Sequence, residues 1–452
     1  MTTRQFCAVL AIGLAFSLAI LFRFGPLNGF PAFTHWEWRW HNLGNLRTAR
    51  ALLPPLLLIL GVLWRAEKGL SPARLRISLS LLVLANFLLQ IFAILLQSPN
   101  LEMVREIVIS ENATGYYSYA LRIQDLSQWI LQFPQAVLMG HVATHPPGPI
   151  LFYYLWIKLF GAGIAALLGG CAVGLTGSLG VLMVYWLAGL WTAAQRTLLL
   201  AAALYALLPS LTVFFPEFDQ FYPVLSMSMV FFWVRALRKF GDTHAACLGA
   251  VLFVATCFAY NLLAMGVFLA GYGLYWLWRE GFARSAWTLL LRAAGIGLGL
   301  CAGLHLVLWI STGYNAPAAF VSALRHQADL DLILARPYKV FAVFDLYDFI
   351  LGAGVIGPLI VLLRLPGLAA GFGKERQDVA LTLIGILTIL TVDLSGLLRG
   401  EASRVWLFLQ PFWVVPAALE LSRLRWTWLL PVLLVQWWMV VSIKSKMAFL
   451  IP

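Results

Sequence analysis

The residues of this chain best suited to chemistry lie in one polar stretch, 98–147, between apolar runs. It contains Glu111, the pair Tyr116-Tyr117 and Asp125, and it ends in the turn His145-Pro146-Pro147-Gly148. Consecutive prolines fix φ and remove backbone donors, so His145 is held where the chain turns stiffly. An imidazole held in this way can contact an anionic or hydroxyl ligand. The turn is equally compatible with a Pro-Pro helix start that carries an interfacial histidine.

A second polar motif, Arg399-Gly400-Glu401-Ala402-Ser403-Arg404, places two arginines around a tight turn between two apolar runs. The guanidinium group carries a planar fork of donors that matches a phosphate group. Basic residues at helix ends also anchor helices to lipid headgroups. The motif therefore predicts either a phosphate contact or a membrane anchor.

The composition decides what kind of scaffold must position these motifs. Of 452 residues, 62% are hydrophobic and only 11% are charged, which a soluble domain could not hide from water. The net charge of +12 is distributed between apolar runs rather than gathered in one domain. This spacing is typical of cytoplasmic turns and membrane-lipid contacts, and it argues against a nucleic-acid partner. The five cysteines lie within apolar runs and predict neither a disulfide framework nor a zinc site.

The apolar runs predict an all-α membrane protein with about 13 transmembrane helices. The first run is expected to be a retained anchor, because no small-residue cleavage site follows at 23–26. The glycines Gly170, Gly174, Gly299 and Gly303 are expected to let neighbouring helices approach closely. The predicted spans lie near 6–22, 51–64, 77–97, 164–190, 197–215, 221–237, 245–259, 262–278, 286–310, 350–365, 378–397, 405–421 and 427–443.

The basic turns predict a cytoplasmic N-terminus and outward-facing loops at 98–147 and 311–349. The apolar segment 148–161 would invert every later basic turn if it crossed fully, so it is expected to be a re-entrant or interfacial helix. The expected divisions are N-terminal helices at 1–97, an outward loop with its re-entrant helix at 98–163, a bundle at 164–310, a loop at 311–349 and C-terminal helices at 350–452.

In this order, the motifs resemble those of the GT-C superfamily of polytopic membrane glycosyltransferases. That superfamily includes protein O-mannosyltransferases, the aminoarabinose transferase of lipid A and bacterial lipopolysaccharide glycosyltransferases. The resemblance is carried by Glu111, by Tyr116-Tyr117 with Ala120, by His145-Pro146-Pro147 and by Leu159-Phe160-Gly161. It is specific over about 98–240, and Ser110-Glu111 stands where the family often has an Asp-Glu pair.

The resemblance implies an inverting transfer from a polyprenyl-phosphate sugar, for which one carboxylate must take the acceptor proton. Glu111 matches the family position for this base, and Asp125 is the alternative. Asp219 lies near a point at which family members often place an acid, whether for sugar hydroxyls, for a metal or as a helix cap. The expected substrate-binding residues are His145, Tyr116, Tyr117, Asp219, Arg399, Glu401 and Arg404.

The predicted function is therefore a glycosyltransferase of the cell envelope, in a bacterial inner membrane with its active site facing outward. Its partners would be a lipid-linked sugar donor, membrane lipids and a glycan, lipid or protein acceptor. No acidic cluster has ligand spacing that demands a metal, so neither a metal nor another cofactor is expected. The alternatives are a lipid or small-molecule transporter or flippase, and a polymerase or ligase of the O-antigen type.

Overall fold

A computed structural model of the chain describes residues 3–22, 39–136, 138–239, 241–334 and 336–448. Within these ranges the chain is helical apart from turns and one antiparallel pair of two-residue strands, β1 (Arg39–Trp40) and β2 (Met447–Ala448). Residues 23–26, which follow the predicted anchor, lie outside the described ranges. The first ten α-helices are α1 (Thr3–Leu21), α2 (Asn45–Ala66), α3 (Pro72–Leu95), α4 (Glu102–Ile109), α5 (Tyr116–Leu121), α6 (Leu126–Gln132), α7 (Gly148–Phe160), α8 (Ala162–Ala188), α9 (Gln195–Ala206) and α10 (Pro209–Val213).

The C-terminal half continues the same helical pattern. Its α-helices are α11 (Tyr222–Lys239), α12 (Asp242–Phe258), α13 (Met265–Arg279), α14 (Arg284–Thr312), α15 (Ala316–Ile333), α16 (Tyr338–Ala353), α17 (Ile356–Ala370), α18 (Gln377–Ser395), α19 (Ala402–Val405), α20 (Pro411–Leu421) and α21 (Trp426–Lys446). Short 3-10 turns lie at Phe133–Gln135, Gly140–Thr144, Phe218–Phe221, Tyr260–Ala264 and Leu407–Leu409.

Eight helices of the described ranges are long and apolar enough to cross a membrane, and the pair α16–α17, bent by 116°, would make a ninth. This confirms the prediction of an all-helical, multi-pass membrane protein. The count of 13 stays a prediction, because four of the predicted spans hold helices that are broken, short or rich in charge. These four are 197–215, 221–237, 245–259 and 405–421.

The centre of the bundle is α9, in which every residue from Thr197 to Ala206 is buried. It packs against α8 and α20, whereas α14 lies at the periphery against α12. Only 11% of the apolar α14 window is buried, against 50% for α8. An apolar helix with so little protein cover is stable where lipid solvates its side chains.

The glycines of α8 and α14 differ in their packing, because α8 is covered by protein and α14 is largely not. A Cβ added to Gly174 would lie 2.3 Å from the Phe215 ring, and one at Gly170 would lie 2.7 Å from Val104. The packing role predicted for these two glycines is therefore confirmed. It is wrong for Gly299 and Gly303, where no described atom lies within 4 Å of the added Cβ.

The two predicted loops contain most of the short helices. Residues 98–147 form α4, α5, α6 and two 3-10 turns, and α7 follows with 13 residues. At 1.5 Å per residue α7 is about 20 Å long, too short to cross about 30 Å of hydrocarbon. The predicted loop 311–349 contains α15 and most of α16, so the predicted boundary at 350 falls inside a helix. Asp345 and Asp348 gave that helix a loop-like sequence, but both are buried.

Candidate functional site

A cavity of about 590 Å³ opens between the short helices and the ends of the long ones. Its lining comes from the turn after α4, the 3-10 turns near 141, 219 and 261, α15, and the segment from the end of α18 to α19. The charged side chains in the lining are Asp219, Asp331, Arg336, Arg399, Glu401 and Arg404. Large apolar ones are Leu263, Phe320, Leu324, Leu330, Leu397 and Leu398.

Arg404 is the centre of the charged lining, and its side chain is 2% exposed. Its Nη2 lies 2.5 Å from Oε2 of Glu401, and its Nη1 lies 3.4 Å from Oε2 of Glu217. Its Nε lies 3.5 Å from Oδ2 of Asp219, and Nη2 also donates to Nε2 of His141 at 3.3 Å. One guanidinium therefore holds three buried carboxyl groups in fixed positions, and such burial is tolerable because these groups are paired and hydrogen-bonded.

The tight turn that presents Arg404 is held by the two buried aspartates of α16. The Gly400 N–H donates to Oδ1 of Asp345 at 2.9 Å, and the Ser403 N–H donates to Oδ2 of Asp348 at 2.9 Å. Gly400 has a φ of +81°, and a Cβ there would lie 2.6 Å from the Arg336 guanidinium carbon. A glycine at this position thus permits both the left-handed backbone and the close approach of Arg336.

Arg336 and Arg399 bind each other's backbone. Nη1 of Arg336 donates to the Arg399 carbonyl at 2.7 Å, and Nη1 of Arg399 donates to the Arg336 carbonyl at 2.6 Å. Each arginine also contacts one acid: Arg336 pairs with Glu401 at 2.9 Å and Arg399 pairs with Asp331 at 2.9 Å. The end of α15 and the segment after it are therefore fastened to the turn before α19 by two charged pairs.

His141 and His145 lie next to Arg404 with their rings tilted by 38° to each other and the ring centroids 4.8 Å apart. Nδ1 of His145 lies 3.0 Å from the His141 carbonyl oxygen and 3.0 Å from the Thr144 hydroxyl, so this ring nitrogen is bound on the protein side. Burial, with Arg404 opposing a second positive charge, lowers the pKa of His145 to about 4. His145 is thus neutral at pH 7.

The acids around Arg404 differ in their ionisation. Burial raises the pKa of Glu217 to about 8 despite the nearby Arg404 guanidinium, and burial also raises the pKa of Asp219. Burial acts in the same direction on Glu401, but Arg404 and Arg336 together outweigh it and leave the pKa of Glu401 below its ordinary value. Glu401 is therefore the permanent anion of the network, whereas Glu217 is protonated at pH 7.

The high pKa of Glu217 predicts a pH dependence of stability. Its pKa rises from 4.5 to about 8 on folding, so the folded state holds a proton that the unfolded state releases in this window. Stability from this group is complete below pH 4.5 and is lost as pH rises through 8, with a slope of at most about 1.4 kcal/mol per pH unit. In Glu217→Gln, the melting temperature should change less with pH, when thermal unfolding is measured at a series of pH values from 5 to 9. Glu111→Gln, at an exposed position, should leave the slope unchanged, and equal slopes for all three proteins would contradict the prediction.

The structure brings five of the residues predicted from the sequence to the cavity lining: His145, Asp219, Arg399, Glu401 and Arg404. Tyr116 is buried behind them, with its ring 5.7 Å from that of His145. Tyr117 instead packs on Tyr153 and donates to the Ala162 carbonyl at 2.6 Å.

The two predicted bases lie elsewhere. Glu111 forms an ion pair with Arg122 and its side chain is 60% exposed, although the next two residues, Asn112 and Ala113, line the cavity. Asp125 caps α6 by accepting from the Gln128 N–H at 3.0 Å. Each acid thus has a local partner, and neither side chain is part of the described lining.

Four further residues of the site are not among the site residues predicted from the sequence: His141, Glu217, Asp331 and Arg336. His141 lies four residues before His145 and Glu217 lies two residues before Asp219, so each is adjacent to a predicted residue without a motif of its own. Asp331 and Arg336 lie in 311–349, where no spacing argument was available. Their proximity to 399–404 could not be found without the fold.

Within the described ranges, no three His, Cys, Asp or Glu side chains are placed so that they could hold a metal ion. Comparison of the chain with protein-family models, with curated proteins and with solved structures gave no match.

Proposed function

We propose that this chain is a membrane glycosyltransferase that moves a sugar from a polyprenyl-phosphate donor to an acceptor hydroxyl. The observation that carries the proposal is the cavity, because buried guanidinium and carboxylate groups and apolar side chains line the same space. A leaving phosphate needs cations, sugar hydroxyls need acceptors, and an isoprenoid chain needs apolar surface. All three requirements are met within about 590 Å³.

In the proposed reaction the acceptor oxygen attacks the anomeric carbon, and the bond from that carbon to the phosphate oxygen breaks. The polyprenyl phosphate leaves with the bonding electron pair, and a carboxylate takes the acceptor proton. Arg399 and Arg336 would stabilise the charge that develops on the leaving phosphate. The product is a glycoside of inverted configuration.

Asp219 is the base that the geometry favours over Glu111 and Asp125. It lines the cavity beside Arg404, and burial raises its pKa toward the working pH, which makes it the stronger base. Glu111 would have to leave its pair with Arg122 to reach a substrate. The cavity is proposed to face outward from a bacterial inner membrane, where lipid-linked sugars meet glycan, lipid or protein acceptors.

The test is reconstitution of the full chain in liposomes with polyprenyl-phosphate sugars, carrying a labelled sugar, and a panel of acceptors. We expect a covalent labelled product, reduced about 10- to 100-fold in Arg399→Gln, since a charge-assisted contact is worth about 1.5–3 kcal/mol. Arg423→Gln, at an exposed position, is the matched control and should remain active. Labelled sugar that crosses the bilayer without any covalent product would replace this proposal with a transporter.

A further inference from the structure

The charges of the cavity lining are already neutralised by one another. Arg404 and Arg336 share Glu401, and Arg399 pairs with Asp331. The three arginines differ in accessibility: the side chain of Arg399 is 23% exposed, against 6% for Arg336 and 2% for Arg404. An incoming anion therefore reaches Arg399 first, and at that moment the Arg399 guanidinium is already paired with the Asp331 carboxylate.

Arg399 and Arg336 have more N–H donors than the acceptors of the protein satisfy. A guanidinium has five N–H groups, and Arg399 uses three of them, on Asp331, on the Arg336 carbonyl and on the Gly396 carbonyl at 2.9 Å. Nε of Arg336 is buried and has no acceptor among the described residues. Donors left without acceptors in a buried position are costly, and an anion with several oxygen atoms would satisfy them.

Asp331 is the acid most easily removed from this arrangement. Its side chain has one arginine partner. Its other side-chain hydrogen bond is donated by Nε2 of Gln327, one turn earlier in α15, at 3.2 Å. α15 lies over the 3-10 turns Phe133–Gln135 and Gly140–Thr144, and Phe320, Leu324 and Leu330 from the same helix line the cavity. By contrast, Glu401 is held by two arginines.

We propose that Asp331 occupies, in the free protein, the place that a phosphate monoester takes on Arg399 and Arg336, and that the bound phosphate displaces it. The exchange replaces one carboxylate by a group with more acceptor oxygens, so the unused N–H groups gain partners. Because Asp331 is on α15, its release also frees the end of a helix that forms part of the cavity wall. The inference rests on the proposed function in one respect, namely that a prenyl phosphate supplies the phosphate.

The test measures binding of farnesyl phosphate to the purified full chain in detergent, with inorganic phosphate and farnesol as the other two ligands. Asp331→Asn should bind farnesyl phosphate about three- to tenfold more tightly than the unmodified chain, because a like charge no longer competes for Arg399. Asp329→Asn makes the same charge change two residues away, at an exposed position outside the cavity lining, and should show no gain. Arg399→Gln added to Asp331→Asn should remove the gain.

The other ligands identify the source of the phosphate. A gain for both farnesyl phosphate and inorganic phosphate, but not for farnesol, supports a phosphate site; tighter binding of the prenyl ligand identifies a lipid source. Weaker or unchanged phosphate binding in Asp331→Asn, or an equal gain in Asp329→Asn or for farnesol, overturns the inference. Asp331→Ala is a second variant should Asp331→Asn fail to fold.

These outcomes are separate from the fate of the proposed function. If Asp331→Asn binds prenyl phosphate more tightly and no sugar is transferred, the displacement stands and the glycosyltransferase proposal fails. If sugar is transferred and Asp331→Asn has unaltered affinity, only the displacement fails.

Discussion

Replacing Arg404 by methionine is expected to lower the free energy of unfolding by about 3–5 kcal/mol, the cost of leaving buried charges without a partner. Three carboxyl groups contact this guanidinium, and the side chains of all three are at most 9% exposed. Glu401 would keep Arg336, but Glu217 and Asp219 would have no cation within 4 Å in the described part of the chain. Chemical and thermal unfolding of the detergent-solubilised protein measure the effect.

Arg423→Met is the matched control for Arg404→Met. Arg423 is 62% exposed and its partner Glu420 also contacts Arg364 at 3.1 Å, so the loss should be about 1 kcal/mol or less. The double variant Arg404→Met with Asp219→Asn should recover part of the stability, because it removes the charge of an acid that has lost its cation. A decrease for Arg404→Met no larger than that for Arg423→Met would contradict the buried network.

Asp219→Asn is expected to reduce sugar transfer by about 10²- to 10⁴-fold, the usual contribution of a general base. The amide keeps the size of the side chain and removes the proton acceptor. Binding of farnesyl phosphate should persist, because Arg399 and Arg336 are unchanged. Initial rates in the reconstituted assay, beside ligand binding to the same preparation, separate the loss of chemistry from the loss of substrate.

Glu111→Gln and Asp125→Asn are the controls for Asp219→Asn, and they also test the bases predicted from the sequence. Both acids have local partners outside the described cavity lining, so we expect both variants to keep most of their activity. Full activity of Asp219→Asn together with a large loss in Glu111→Gln would return the catalytic role to Glu111.

Several candidate residues were accessible from the sequence because a local signal accompanied each of them. The Pro-Pro turn drew attention to His145, and the spacing of two arginines around a glycine drew attention to Arg399 and Arg404. These three side chains line one cavity. Glu111 was assigned from the family position that it matches, with Asp125 as the alternative, but an exposed acid with a neighbouring partner and an acid beside a cavity look alike in sequence.

The sequence by itself determined the class of the protein, since an apolar content of 62% with 11% charge is stable only where lipid solvates the surface. It also determined most helix positions, because apolar runs of sufficient length have one common solution in a membrane. Only the tertiary structure decided which charges meet. Arg404 and Glu217 are 187 residues apart in the chain, and Arg399 and Asp331 are 68 apart. Such pairs depend on how helices pack, and the sequence around a charged residue does not show which distant residue that packing brings next to it.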